Sequence, residues 1–138
     1  MRLSKDSKTA AIAKVPLFAR CTKRELQRIA QLADEFNLPA GRTLTKEGAR
    51  GREFFVLLEG GAEVRRGGHV IGSLGGGDFF GEIALVTDVP RTATVKTTAP
   101  VHALVITDRA FRDLLRESPQ IQGKVLEAVA SRLAAMLY

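Results

Sequence analysis

An α+β fold, an antiparallel β barrel or jelly roll flanked by helices at both ends, is what the sequence predicts. Three observations carry it. Apolar residues recur at helical spacing near both termini. The middle, roughly residues 36–107, breaks into short apolar or alternating runs. Glycine and proline punctuate those runs at intervals that suit a small all-β barrel.

The first zone, residues 1–35, is expected to be helical. In "CTKRELQRIAQLADEF", Thr22 and Glu25 have capping-box spacing. Leu26, Ile29, Ala30 and Ala33 then form one apolar stripe, and Pro39 and Gly41 stop it. In the barrel zone, "REFFVLLEG" reads as a buried strand. "AEVRR" alternates, with Ala62 and Val64 on one face. Gly67-Gly68 supplies the positive φ that a two-residue hairpin turn needs, and "HVIGSL" returns. "TATVKTT" alternates again, and "VHALVITD" is the last strand. In the third zone, residues 108–138, Asp108 opens one helix. Ser118-Pro119 has the pattern of an N-cap followed by proline at the first helical position. The final helix carries Leu126, Val129, Leu133 and Met136 at three- and four-residue spacing. The expectation is one domain over residues 1–138.

Composition narrows the function. The chain has 138 residues, 45% hydrophobic and 26% charged. It contains no apolar run long enough to span a membrane, and its basic start lacks a signal-peptide core. With one cysteine, Cys21, no internal disulfide can form, which fits the cytoplasm. The net charge of +6 lies wholly in residues 1–28, where eight basic side chains face Asp6 and Glu25. That segment lacks interleaved aromatic residues and reads as a solvated helix face rather than a nucleic-acid arm.

Catalytic chemistry finds little support. Cys21 has no histidine near it in sequence, and His69 and His102 are too far apart to suggest a metal cluster. "GGGDFFG" matches neither phosphate-loop spacing. Asp78 and Glu82 could face each other as an acid/base pair, but the glycine before Glu82 favours turn and ligand roles. No enzyme, catalytic residue, metal or cofactor is expected.

The informative stretch is "GDFFGEIALVTDVPRTATV", residues 77–95. It holds Glu82 just after Gly81, and Arg91 just after Pro90, in apolar surroundings. Glycines let the backbone approach a ligand closely. A short helix opening at "GEIAL" would present free N–H groups to an anion. Arg91 could add a fixed charge with two parallel donors, and Glu82 could accept from a hydroxyl. A monoanionic phosphate beside a sugar hydroxyl fits this set. A Glu82–Arg91 salt bridge across a loop fits it as well.

"FGEIALVTDVPRTATV" resembles the phosphate-binding cassette of the cyclic nucleotide-binding domain family, found in catabolite activator protein and in protein kinase A regulatory subunits. The resemblance covers nearly the whole chain. It implies a jelly roll that binds cyclic AMP or cyclic GMP. It assigns Glu82 to the ribose 2′-hydroxyl and Arg91 to the cyclic phosphate. The N–H groups of Ile83, Ala84 and those near Thr92 and Ala93 complete the phosphate nest. Val64 and Ile71 match positions that wall the base and sugar, and Leu133, Leu137 or Tyr138 would be the lid. Thr92 is the kind of residue that favours cyclic GMP in this family, yet cassettes like "PRTATV" are expected to take cyclic AMP, which is the preferred ligand here.

The reading is a stand-alone sensor whose C-terminal helix moves on binding. Its partner would be a second copy through that helix, or another protein. Roughly thirty residues after the last strand leave no room for a DNA-reading module of usual size. The alternatives are an interaction module of the same fold with little nucleotide binding, or a regulatory fragment of a larger protein.

Overall fold

A computed structural model describes residues 3–81 and 90–137, with backbone alone at 128, 132 and 135–137. The chain forms two compact units. One joins residues 1–32 to 109–138, and the other is residues 33–108.

The helical unit is built from local signals. Ser4 caps helix α1 (Lys5–Ala13), its hydroxyl accepting from the Ser7 N–H at 3.1 Å. A short 3-10 turn, Pro16–Phe18, follows. Helix α2 (Lys23–Leu32) opens with the expected capping box: the Thr22 N–H donates to Glu25 Oε1 at 2.8 Å, and the Glu25 N–H to Thr22 Oγ1 at 3.2 Å. Leu26, Ile29 and Ala30 are its buried stripe. Helix α3 (Asp108–Glu117) buries Phe111 and Leu114. Helix α4 (Pro119–Leu137) starts as the sequence suggests, with the Ile121 N–H donating to Ser118 Oγ at 3.2 Å.

Glu25 also joins helices. It accepts from Ser118 Oγ at 3.2 Å and from Lys124 Nζ at 3.1 Å, so one carboxylate serves the starts of α2 and α4. The buried stripe of α4 is Ile121, Val125 and Val129, spaced by four. Leu126 and Leu133 lie off this stripe, 66% and 42% exposed, so only Val129 of the expected set is shown buried.

Among the described residues, the second unit has eight strands in two four-stranded antiparallel sheets. They are β1 (Asp34–Leu38), β2 (Thr43–Thr45), β3 (Glu53–Glu59), β4 (Gly61–Arg66), β5 (His69–Gly75), β6 (Phe79–Phe80), β7 (Thr94–Thr97) and β8 (Val101–Thr107). One sheet has the order β1-β8-β3-β6, and the other β2-β7-β4-β5. This is a jelly roll of two facing sheets, one of the two forms the sequence predicts.

The core between the sheets follows from side-chain alternation. Phe55, Leu57 and Ala103 come from one sheet, Ala62 and Val95 from the other. Phe55 stacks on Phe80 with ring centroids 4.7 Å apart. On the opposite face of β3 and β8, Phe54, Val56, Leu104 and Ile106 are buried too. That explains why "FFVLL", residues 54–58, is continuously apolar rather than alternating. At the outer pair β1–β8, Glu35 and His102 are hydrogen-bonded side chain to side chain, which satisfies two polar groups with little exposure.

The Gly67-Gly68 turn has φ of +58° and +80°, as a primed hairpin turn requires. Because β4 pairs with β7 on its other side, this hairpin carries its tip to residues 92–94.

Candidate functional site

The site is organised around a buried cation. Arg91 is only 8% exposed, although it lies outside any strand. A guanidinium taken out of water needs hydrogen-bond acceptors. Main-chain oxygens supply them: Nη2 donates to the Glu53 carbonyl at 2.6 Å, and Nη1 to the Gly81 carbonyl at 3.3 Å. Glu53 opens β3, and Gly81 follows β6, so two paired strands set the position of the charge.

The backbone of Arg91 is tied down as well. Its N–H donates to the Ala49 carbonyl at 2.8 Å, and its carbonyl accepts from the Gly48 N–H at 2.9 Å. The three residues that follow are held in the same way. The Thr92 carbonyl accepts from Arg66 Nε at 2.9 Å, and the Ala93 carbonyl from Thr45 Oγ1 at 3.2 Å. Thr94 Oγ1 accepts from the Glu47 N–H at 2.9 Å. The loop after β2 and the tip of the β4–β5 hairpin therefore grip residues 91–94 from two sides.

Gly81 explains why the entrance is glycine. Its φ is +93°, which side-chain-bearing residues seldom adopt. A Cβ there would also lie 2.7 Å from the Glu53 carbonyl oxygen. Asp78 is a turn acid, since its Oδ2 accepts from the Gly75 N–H at 2.7 Å.

The other residues singled out from sequence are distributed as follows. Val64 packs against the core between the sheets. The residue across from it is Gly72, not Ile71, because the pairing shifts register between Val64 and Arg65. Ile71 falls in that bulge and is 51% exposed. Thr92 is exposed and Ala93 half-buried. Glu82, Ile83 and Ala84 lie outside the described residues, as does Tyr138. Leu133 and Leu137 belong to α4 in the helical unit, with the Leu137 side chain undescribed. Sequence reasoning missed Glu53, Arg66, Thr45 and the loop around Gly48. Glu53 acts through its carbonyl, which every residue has, so no side-chain signal could mark it. Arg66 could have been noticed as the basic residue that directly precedes the hairpin turn.

Two alternative chemistries receive no help. Burial and the nearby Glu25 carboxylate push the Cys21 thiol up, against a weaker pull from Lys124, so it is not an activated nucleophile. Among the described residues, no three His, Cys, Asp or Glu side chains gather to hold a metal ion.

Residues 35–118 match the family model described as "Cyclic nucleotide-binding domain". The chain belongs to the cyclic nucleotide-binding domain family. Within the family, it is 38% identical over 110 residues to a cAMP-dependent protein kinase regulatory subunit of Mycosarcoma maydis, covering 73% of this chain and 21% of that protein. It is 32% identical over 121 residues to a cyclic nucleotide-gated potassium channel of Rhizobium etli, covering 88% of this chain and 34% of the channel. The chain thus spans a fifth to a third of these relatives' lengths. Among solved structures, it resembles the N-terminal domain of a transcriptional regulator from Streptomyces coelicolor. The TM-score is 0.79 and the identity 27%, covering 91% of this chain and 94% of that one. The stretch read as the cassette, residues 77–95, lies inside the family match.

Proposed function

We propose that this cyclic nucleotide-binding domain is a regulatory sensor that takes cyclic AMP in preference to cyclic GMP and performs no catalysis. The observation that carries the reading is Arg91, buried and oriented by the Glu53 and Gly81 carbonyls. A charge fixed in advance loses little freedom when it meets a cyclic phosphate. Around it, Glu82 takes the ribose 2′-hydroxyl, and the N–H groups of Ile83, Ala84, Thr92 and Ala93 line the phosphate. Val64 and Ile71 wall the sugar and base. The preference for cyclic AMP is supported by the relative named a cAMP-dependent kinase regulatory subunit.

Output in this proposal runs through α4, with Leu133, Leu137 or Tyr138 closing over the base. Ligand binding shifts α4 only as far as one arrangement binds the nucleotide more tightly than another. The exposed Leu126 and Leu133 support a second copy or another protein as the receiver. The same exposed leucines favour the alternative of an interaction module of this fold with little nucleotide binding. The proposed compartment is the cytoplasm, in keeping with a single thiol. Among the described residues, no helix is long and apolar enough to cross a membrane.

Calorimetric titration with cyclic AMP and cyclic GMP tests the reading. Cyclic AMP is expected to bind near micromolar, about −8 kcal/mol, and more tightly than cyclic GMP. Absence of binding by both at millimolar concentration removes the sensor function and leaves the interaction module.

A further inference from the structure

The direction of a peptide N–H can be read from the carbonyl that shares its plane. No cis peptide bond occurs among the described residues, and a trans unit points its C=O and the next N–H in opposite directions. Arg66 Nε captures the Thr92 carbonyl at 2.9 Å and so aims the Ala93 N–H the other way. The Gly48 N–H captures the Arg91 carbonyl at 2.9 Å and aims the Thr92 N–H likewise.

We infer that Arg66 is a positioning residue for the ligand's anionic group, acting by fixing the peptide plane that carries the Ala93 N–H. The inference rests on the reading of residues 91–93 as part of the phosphate site. Alternation along β4 puts Arg66 on the same face as Ala62 and Val64, the face that looks into the unit. The base of Arg66 is itself held. Glu47 Oε1 accepts from the N–H of the next residue, Gly67, at 2.9 Å, and the Glu47 N–H donates to Thr94 Oγ1 at 2.9 Å. The hairpin tip, the loop after β2 and the arm formed by residues 91–94 thus close a ring of hydrogen bonds.

Arg65 provides an internal control. It alternates onto the outer face, where its Nε donates to Glu63 Oε1 at 2.7 Å. Removing Arg65 or Arg66 deletes the same charge, but of the two side chains only that of Arg66 bonds the arm, Arg65 meeting Thr94 through the strand pairing alone.

Two readouts test the inference: the dissociation rate of cyclic AMP, and the Ala93 amide resonance of the ligand-free protein. Arg66→Ala should raise the dissociation rate about tenfold, the scale of one charge-assisted hydrogen bond, and shift the Ala93 resonance. Arg66→Lys should recover part of both, and Arg65→Ala should leave both unchanged. The inference is overturned if Arg66→Ala releases cyclic AMP at the wild-type rate, or if Arg65→Ala speeds release as much. Should the wild-type protein bind neither cyclic nucleotide, the sensor reading falls by itself. The amide resonance then decides alone, and an unshifted Ala93 in Arg66→Ala overturns the positioning role.

Discussion

A Cβ on Gly81 would lie 2.7 Å from Nη1 of Arg91, the nitrogen that donates to the Gly81 carbonyl. The glycine and the arginine are therefore one unit: the missing side chain is the space the guanidinium occupies. Gly81→Ala should carry two costs, the strain of an alanine at φ of +93° and displacement of Arg91. Gly77 has the same φ of +93° with open space around its Cβ, so Gly77→Ala carries the strain alone. Urea unfolding should show a loss of about 1 kcal/mol for Gly77→Ala and a larger one for Gly81→Ala. Only Gly81→Ala should also weaken cyclic AMP binding. Equal effects of the two would show that Arg91 moves aside freely.

Arg91 itself should tolerate no replacement. Arg91→Ala is expected to cost about 2–4 kcal/mol of cyclic AMP affinity, as for loss of a desolvated charged partner. Arg91→Lys keeps the charge but cannot serve two carbonyls and an anion through one planar fork, so it should recover little. Titration calorimetry measures both, and full recovery by lysine would reduce the site to simple charge attraction.

The Glu25 hub predicts an acid-sensitive term in stability. The Thr22 N–H is the largest influence holding this carboxyl below the usual carboxylate range. Burial opposes it, and Lys124 and Ser118 add to it. A carboxyl depressed in the folded state stabilises above its unfolded value, near pH 4.3, and loses that contribution as pH falls through the folded value. The stability gap between wild type and Glu25→Gln should thus be full at neutral pH, about 1 kcal/mol, and shrink at pH 3. Urea midpoints at the two pH values measure it. A gap independent of pH would mean that the hydrogen bonds, and not the charge, hold the helices.

The features legible in the sequence are those written within a few residues. Thr22 and Glu25 are three apart, Ser118 and Ile121 likewise, and Gly67-Gly68 carries in its own two residues the positive φ its turn needs. Their patterns name a cap or a turn because the partners are local. The grip on Arg91 was not legible. Glu53 is 38 residues away in the chain, and Arg66 is 26 from Thr92, and each contact uses a main-chain oxygen. Nor does alternation alone find the bulge at Ile71, because one extra residue changes which side chain stands opposite Val64. Arg91 was singled out by its motif, but what buries it belongs to the topology.

The proposed output predicts a change in the last helix. Hydrogen exchange at residues 130–137 should slow when cyclic AMP is added. Deleting residues 134–138 should weaken binding mainly through faster dissociation. Exchange that is equally slow with and without nucleotide would place the switch elsewhere.

Thr92 gives the selectivity test. Its carbonyl is held by Arg66 while its side chain lies in an exposed residue, so truncating the hydroxyl should leave the arm in place. If the hydroxyl reads the base, Thr92→Ala will lower cyclic GMP affinity more than cyclic AMP affinity. One hydrogen bond contributes about 0.5–1.5 kcal/mol, so the ratio of the two affinities should change by a few-fold to roughly tenfold. Paired titrations of wild type and Thr92→Ala read that ratio directly. Because Arg91 and the Ala93 N–H are untouched by the change, a loss shared equally by both nucleotides would mean that the threonine acts on the arm and not on the base. An unchanged ratio would move the choice of nucleotide to other residues.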